Sequence, residues 1–133
     1  MNLDLSSLSR TIESLNAALR VVNDEAWFSA QSSSVQQTLL AGVVQNFEFV
    51  YKLCIKMIRR RLEMDAASPS EVDFGGFRGF LRAAAAKGLI RDIESWFAYR
   101  QIRDMTSHTY DVATAQAVCA RARLPHRCAR RAH

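Results

Sequence analysis

The chain has 133 residues, enough for one domain with its own core and no covalent staples. Its 49% hydrophobic content excludes global disorder, and 5 Gly with 2 Pro argue for long helices against an all-β fold. The net charge of +5 says less than it suggests: residues 1–120 carry 13 Lys+Arg against 13 Asp+Glu, and the excess is Arg121, Arg123, Arg127, Arg130 and Arg131. The basic balance therefore describes a tail and is weak evidence for a nucleic-acid-binding face.

The N-terminus, MNLDLSSLSR, lacks a basic stretch followed by an apolar run, so no signal peptide is expected. No segment reads as the roughly 18 to 20 apolar residues of a bilayer span, so no membrane partner is expected. Cys54, Cys119 and Cys128 form no CxxC pair and no disulfide framework, which fits a reducing cytoplasm.

Leu5, Leu8, Ile12, Leu15, Leu19 and Val22 follow helical spacing and predict an amphipathic first helix. Residues 29–34, SAQSSS, read as a polar connection, with Ser32, Ser33 and Ser34 all suited to cap a second helix. Leu40, Val44, Phe47, Tyr51, Cys54, Ile58 and Leu62 then recur at gaps of three or four with no Gly or Pro between Val44 and Leu62. They predict one long helix over residues 35–64, about 45 Å in length. Its outer face carries Glu48, Lys52, Lys56, Arg59, Arg60 and Glu63, a solvated face in the plainest reading.

Residues 65–73 contain Pro69 and read as a loop. A shorter helix is expected over 74–87, ended by Gly88. Asp92 can open the next helix, with Ile93, Trp96, Phe97, Ile102 and Met105 as its apolar members, to about residue 107 or 108. A last helix is expected from near Asp111, with Val112, Ala115 and Val118. The fold class is therefore all-α, an antiparallel up-and-down bundle of four to five helices over residues 1–120. Residues 121–133, RARLPHRCARRAH, read as a flexible or aberrant tail. Cys119, His126, Cys128 and His133 match no usual zinc spacing, so no metal is expected.

Residues 99–111, YRQIRDMTSHTYD, concentrate Arg, His, Tyr, Thr and Ser at a helix end. Arg100 and Arg103 share a face, as do Asp104 and His108. Arg103 and His108 are five apart, about 140° around a continuous helix. They converge only if the helix frays near Ser107 or if two chains meet there.

The motif Arg103-x4-His108-x-Tyr110 resembles the RX4HXY signature of HEPN proteins of the HepT type. Gly88, Leu89, Ile90, Asp92, Trp96 and residues 103–111 look like the subgroup called nucleotidyltransferase substrate-binding proteins. Gly42, Gln45, Phe47, Glu48, Tyr51, Leu53 and Lys56 match the same subgroup, and the resemblance covers about residues 5–118. It implies a helical bundle, usually a homodimer, whose partner is a small nucleotidyltransferase encoded nearby. Some relatives are RNase toxins that the partner silences by adding AMP to the motif tyrosine, here Tyr110. Gln45, Glu48, Lys56 and Arg100 become candidate ligand or partner contacts.

Such a site suits RNA chemistry without metal or cofactor. His108 titrates near neutral pH and can act as acid or base. Arg103 can fork onto phosphate oxygens, and Asp104, one turn before His108, can orient its ring. This sequence departs from relatives at Asp104, where they commonly have Asn, at Lys52, usually Glu, and at Cys54, often Trp. The carboxylate beside Arg103 weakens the positive field there. Two readings share these residues, a partner subunit modified at Tyr110 and an active endoribonuclease. A third is a purely structural bundle.

Overall fold

A computed structural model of the chain describes residues 4–66, 75–108 and 118, with the backbone alone for residues 106–108. Five helices occur among them: α1 (Ser6–Asn23), α2 (Glu25–Ser29), α3 (Ser33–Asp65), α4 (Phe77–Ala86) and α5 (Ile93–His108). No strand occurs among the described residues.

The spacing read from the sequence becomes the core. Leu8, Ile12, Leu15, Leu19 and Val22 of α1 are buried, and α1 packs along α3. On α3 the buried positions are Val43, Val44, Phe47, Val50, Tyr51, Cys54, Ile58 and Leu62. Leu40, expected on this stripe, is only partly buried. α4 contributes Phe80, Leu81 and Ala84, and α4 and α5 pack against α3 and against each other. Val118 is helical and fully buried. The rest of the expected last helix, and the 121–133 tail, lie outside the described residues.

Helix ends follow from local chemistry. The Ser32 hydroxyl accepts the backbone N–H of Val35 at 3.3 Å and starts α3. Asp92 accepts the Glu94 N–H at 3.0 Å and the Ser95 hydroxyl at 2.7 Å, which holds its carboxyl below the usual range. At the end of α4, Leu89 N–H donates to the Ala84 carbonyl at 2.9 Å and Gly88 N–H to Ala85 at 3.0 Å. Gly88 sits at φ +73° between them, a Schellman ending, and Leu89 folds back into the core.

Three sequence expectations need correcting. The 29–34 connection is preceded by the short helix α2, capped by Asp24 through the Trp27 N–H at 3.3 Å. Gln36 ties α2 to α3 by donating to the Phe28 and Gln31 carbonyls. Met105, expected among the apolar members of α5, is 45% exposed, and the fully buried residue there is Tyr99. An 18-residue window of α3 reaches a mean hydropathy of 1.2, long and apolar enough by composition to span a bilayer, with 33% of it buried inside the fold. α3 buries its inner face in the bundle core, so that hydropathy already has a structural use.

Gly88→Ala meets open space around its new methyl but keeps the left-handed backbone. It is expected to cost about 1–2 kcal/mol, read by chemical denaturation. An unchanged midpoint would mean that the α4 ending does not need this conformation.

Candidate functional site

The site is built where α5 crosses α3. Phe47 and Tyr51 of α3 meet Trp96 and Tyr99 of α5 in one cluster of rings. Trp96 and Tyr99 pack edge to face at 5.1 Å between centroids, Tyr51 and Trp96 are 6.3 Å apart, and Phe47 and Tyr99 6.4 Å. All four rings are buried. Arg103 stands one helical turn beyond Tyr99, and its guanidinium carbon lies 5.7 Å from the Tyr51 ring centroid, within cation–π range. Burial raises the Tyr51 hydroxyl above its ordinary pKa, against the opposing pull of the Arg103 and Arg100 charges.

Arg103 also pairs with its neighbour Asp104, Nη2 to Oδ1, at 3.0 Å. The Arg103 side chain remains 34% exposed, so its guanidinium is anchored on the ring and still reaches solvent. Arg100, one turn earlier, lays its guanidinium 4.3 Å from the Phe77 ring of α4. The structure therefore brings together Arg100, Arg103 and Asp104, and adds Tyr51 as the ring beneath Arg103.

The other expected residues fall elsewhere. Gln45 is exposed and Glu48 half-buried on α3. Lys56 lies about 16 Å further along the axis than Gln45. Lys56 lines an open depression of about 510 Å³ together with Arg59, Arg60, Glu63 and Met64. These three α3 positions do not converge on one point. α5 is helical through His108 with no fraying at Ser107. Arg103 and His108 therefore stand about 140° apart on an unbroken helix. Tyr110 lies outside the described residues. The sequence contained no cue to the Tyr51–Arg103 contact, because the two residues are 52 apart and meet only through the packing of two helices.

Among known proteins, the family model described as "Nucleotidyltransferase substrate binding protein like" matches residues 3–128. The chain belongs to this family. A Haemophilus influenzae protein named "Probable ribonuclease HepT" is 45% identical over 118 residues, 89% of this chain and 81% of that protein. A solved Haemophilus influenzae structure is described as showing the fold of a substrate-binding domain of a nucleotidyltransferase. It superposes with a TM-score of 0.88 at 39% identity, covering 97% of this chain and 98% of that one. The all-helical fold and the HepT-like resemblance expected from the sequence are thus those of the family.

The packing of α5 on α3 places Arg103 on Tyr51, and that contact is measurable. Tyr51→Phe keeps the ring and should leave the Arg103 Nε–H resonance in the ¹H–¹⁵N spectrum close to its wild-type shift. Tyr51→Leu removes the ring current and should move it downfield. A resonance that stays put in Tyr51→Leu would show that the guanidinium does not rest there in solution.

Proposed function

We propose that this chain is the substrate-binding partner of a small nucleotidyltransferase in a two-protein module, and that Arg103 is its phosphate ligand. One observation carries the reading: Arg103 is the α5 arginine that is fixed on a buried ring yet open to solvent. A planar guanidinium with its position set, its Nε buried and its Nη end reaching solvent beside Asp104, suits recognition of a phosphate oxygen at that end. The family's description and that of the similar solved structure both name a nucleotidyltransferase and agree with such a partner.

In this reading Tyr110 is the modification target. Its phenolic oxygen attacks the α-phosphorus of ATP held by the transferase, pyrophosphate leaves, and the phenolic proton passes to a base or to solvent. The chain works as a homodimer, since two copies can bring Arg103 of one to His108 of the other where a single unbroken α5 cannot. Intact mass after incubation with the neighbouring transferase, ATP and Mg²⁺ should show one or more AMP additions, mapped to Tyr110 and abolished by Tyr110→Phe. A stable complex with no addition would reduce the chain to a passive binding subunit.

The second reading, an endoribonuclease, is favoured by the name of the 45% identical relative. The neighbouring 2′-hydroxyl attacks the phosphorus and the 5′-oxygen leaves, giving a cyclic phosphate and a free 5′-hydroxyl. Arg103 stabilises the added charge, and His108 of two chains serves as base and acid. Asp104 accompanies Arg103, and an Asp104 carboxylate reaching His108 as well would orient it. RNA cleavage is expected to persist in EDTA and to fall by about 10²-fold or more in His108→Ala with melting unchanged. Cleavage that survives His108→Ala would assign the activity to another site.

A further inference from the structure

Phe77 and Arg78 open α4, and Phe97 and Arg100 lie one turn apart on α5. Each arginine rests on the other helix's phenylalanine. Arg78 is 4.7 Å from the Phe97 centroid and Arg100 is 4.3 Å from that of Phe77. The two rings meet edge to face at 5.8 Å and complete the clasp. Arg103 follows Arg100 by one turn on the same face of α5. Three guanidinium groups, each lying on an aromatic ring, thus run from α5 onto the start of α4.

The α4 side of the clasp carries charge of one sign, while Asp92, Glu94 and Asp104 flank its α5 side. Residues 77–91 contain Arg78, Arg82, Lys87 and Arg91 and no Asp or Glu. All four are exposed, and Arg82 shares a face of α4 with Arg78. Among the described residues no carboxylate pairs with Arg78, Arg82 or Arg100; the ion pairs Arg103–Asp104 and Arg61–Asp65 lie outside this set. The zero net charge of residues 1–120 hides this excess along α4, because acids on the neighbouring 92–104 segment and elsewhere in the chain balance it in the sum.

We infer that the Arg78–Phe97/Arg100–Phe77 clasp is a second binding subsite, continuous with Arg103, for a single-stranded polynucleotide. The inference rests on reading Arg103 as a phosphate ligand and adds the strand that runs on from that phosphate. A guanidinium packed on a ring by one face offers its other face for base stacking and its edge for phosphate oxygens. This combination suits unpaired bases, which duplex RNA does not present. An acidic protein surface would use the charges and leave the exposed guanidinium faces idle, so the single strand is the better match.

The test is fluorescence anisotropy of the full chain with a labelled 12-nucleotide oligouridylate in EDTA, from low to moderate salt. Arg78→Gln should weaken binding and lower the magnitude of the salt slope by about 0.7, the value for one lost phosphate contact on a single strand. Arg78→Lys should keep the slope and bind less tightly than wild type, because it keeps the charge and loses the plane. Arg20→Gln on α1, with the same loss of charge, should leave the slope unchanged. A wild-type slope in Arg78→Gln, or an equal loss in Arg20→Gln, would overturn the subsite. So would equal binding of a duplex of the same length. Arg103→Gln separates the two claims: unaltered binding there, with loss in Arg78→Gln, removes Arg103 as phosphate ligand and leaves the clasp standing. Should Arg78→Gln lower the melting temperature, Arg78→Lys decides, since wild-type affinity in that variant would refute stacking.

Discussion

The packing of α5 on α3 through Phe47, Tyr51, Trp96 and Tyr99 is the constraint on which the rest of the site depends. These rings fix the phase of α5 as well as its position, because edge-to-face pairs tolerate little rotation. One residue of rotation is about 100° around a helix and would carry Arg103 off the Tyr51 ring. Arg100 would leave Phe77 in the same motion, and the contacts between α4 and α5 would go with it. Core packing and the placement of the site arginines are therefore one property of this fold.

Much of the architecture was legible in the sequence, because a long amphipathic helix writes its buried face at a fixed period. The α3 stripe from Val44 to Leu62 and the ending of α4 at Gly88 are such cases. Tyr99 falls on the spacing of Ile93, Trp96 and Ile102, but it opens the polar run 99–111 and reads as part of that run; Trp96 and Phe47 pack around it in the core. α2 was missed because five residues leave no periodicity to read. Of the site, Arg100, Arg103 and Asp104 were legible as a cluster on one helix. Tyr51 beneath Arg103, and Arg78 on Phe97, required knowing which helices touch. Gln45 and Lys56 were grouped with them by resemblance, and the length of α3 keeps those two apart.

Four arginines of this fold share one arrangement that a charge count does not show. Arg59 lies 4.9 Å from the Phe80 ring, alongside Arg78 on Phe97, Arg100 on Phe77 and Arg103 on Tyr51. A long side chain laid on a ring has already lost much of its rotamer freedom in the free protein. Binding then orders it less than it would a lysine in water. Net neutrality over residues 1–120 is thus compatible with a local surface prepared for anions.

Asp104 would set the terms on which Arg103 meets the proposed phosphate. Its carboxylate occupies one edge of the guanidinium at 3.0 Å, so an incoming phosphate competes with a carboxylate already in place. The pair is 34% and 57% exposed, and an ion pair that wet contributes little to stability. The carboxylate is therefore easily displaced, yet its charge remains one residue away and offsets part of the attraction. A phosphate bound by Arg103 alone would feel that offset fully. A strand that also reaches Arg100 and Arg78 gathers charge the carboxylate does not cancel. Under the proposed reading, the Asp at this position would favour an extended polyanion over a single phosphate, and the local chemistry of Arg103 and the clasp on α4 would belong to the same surface.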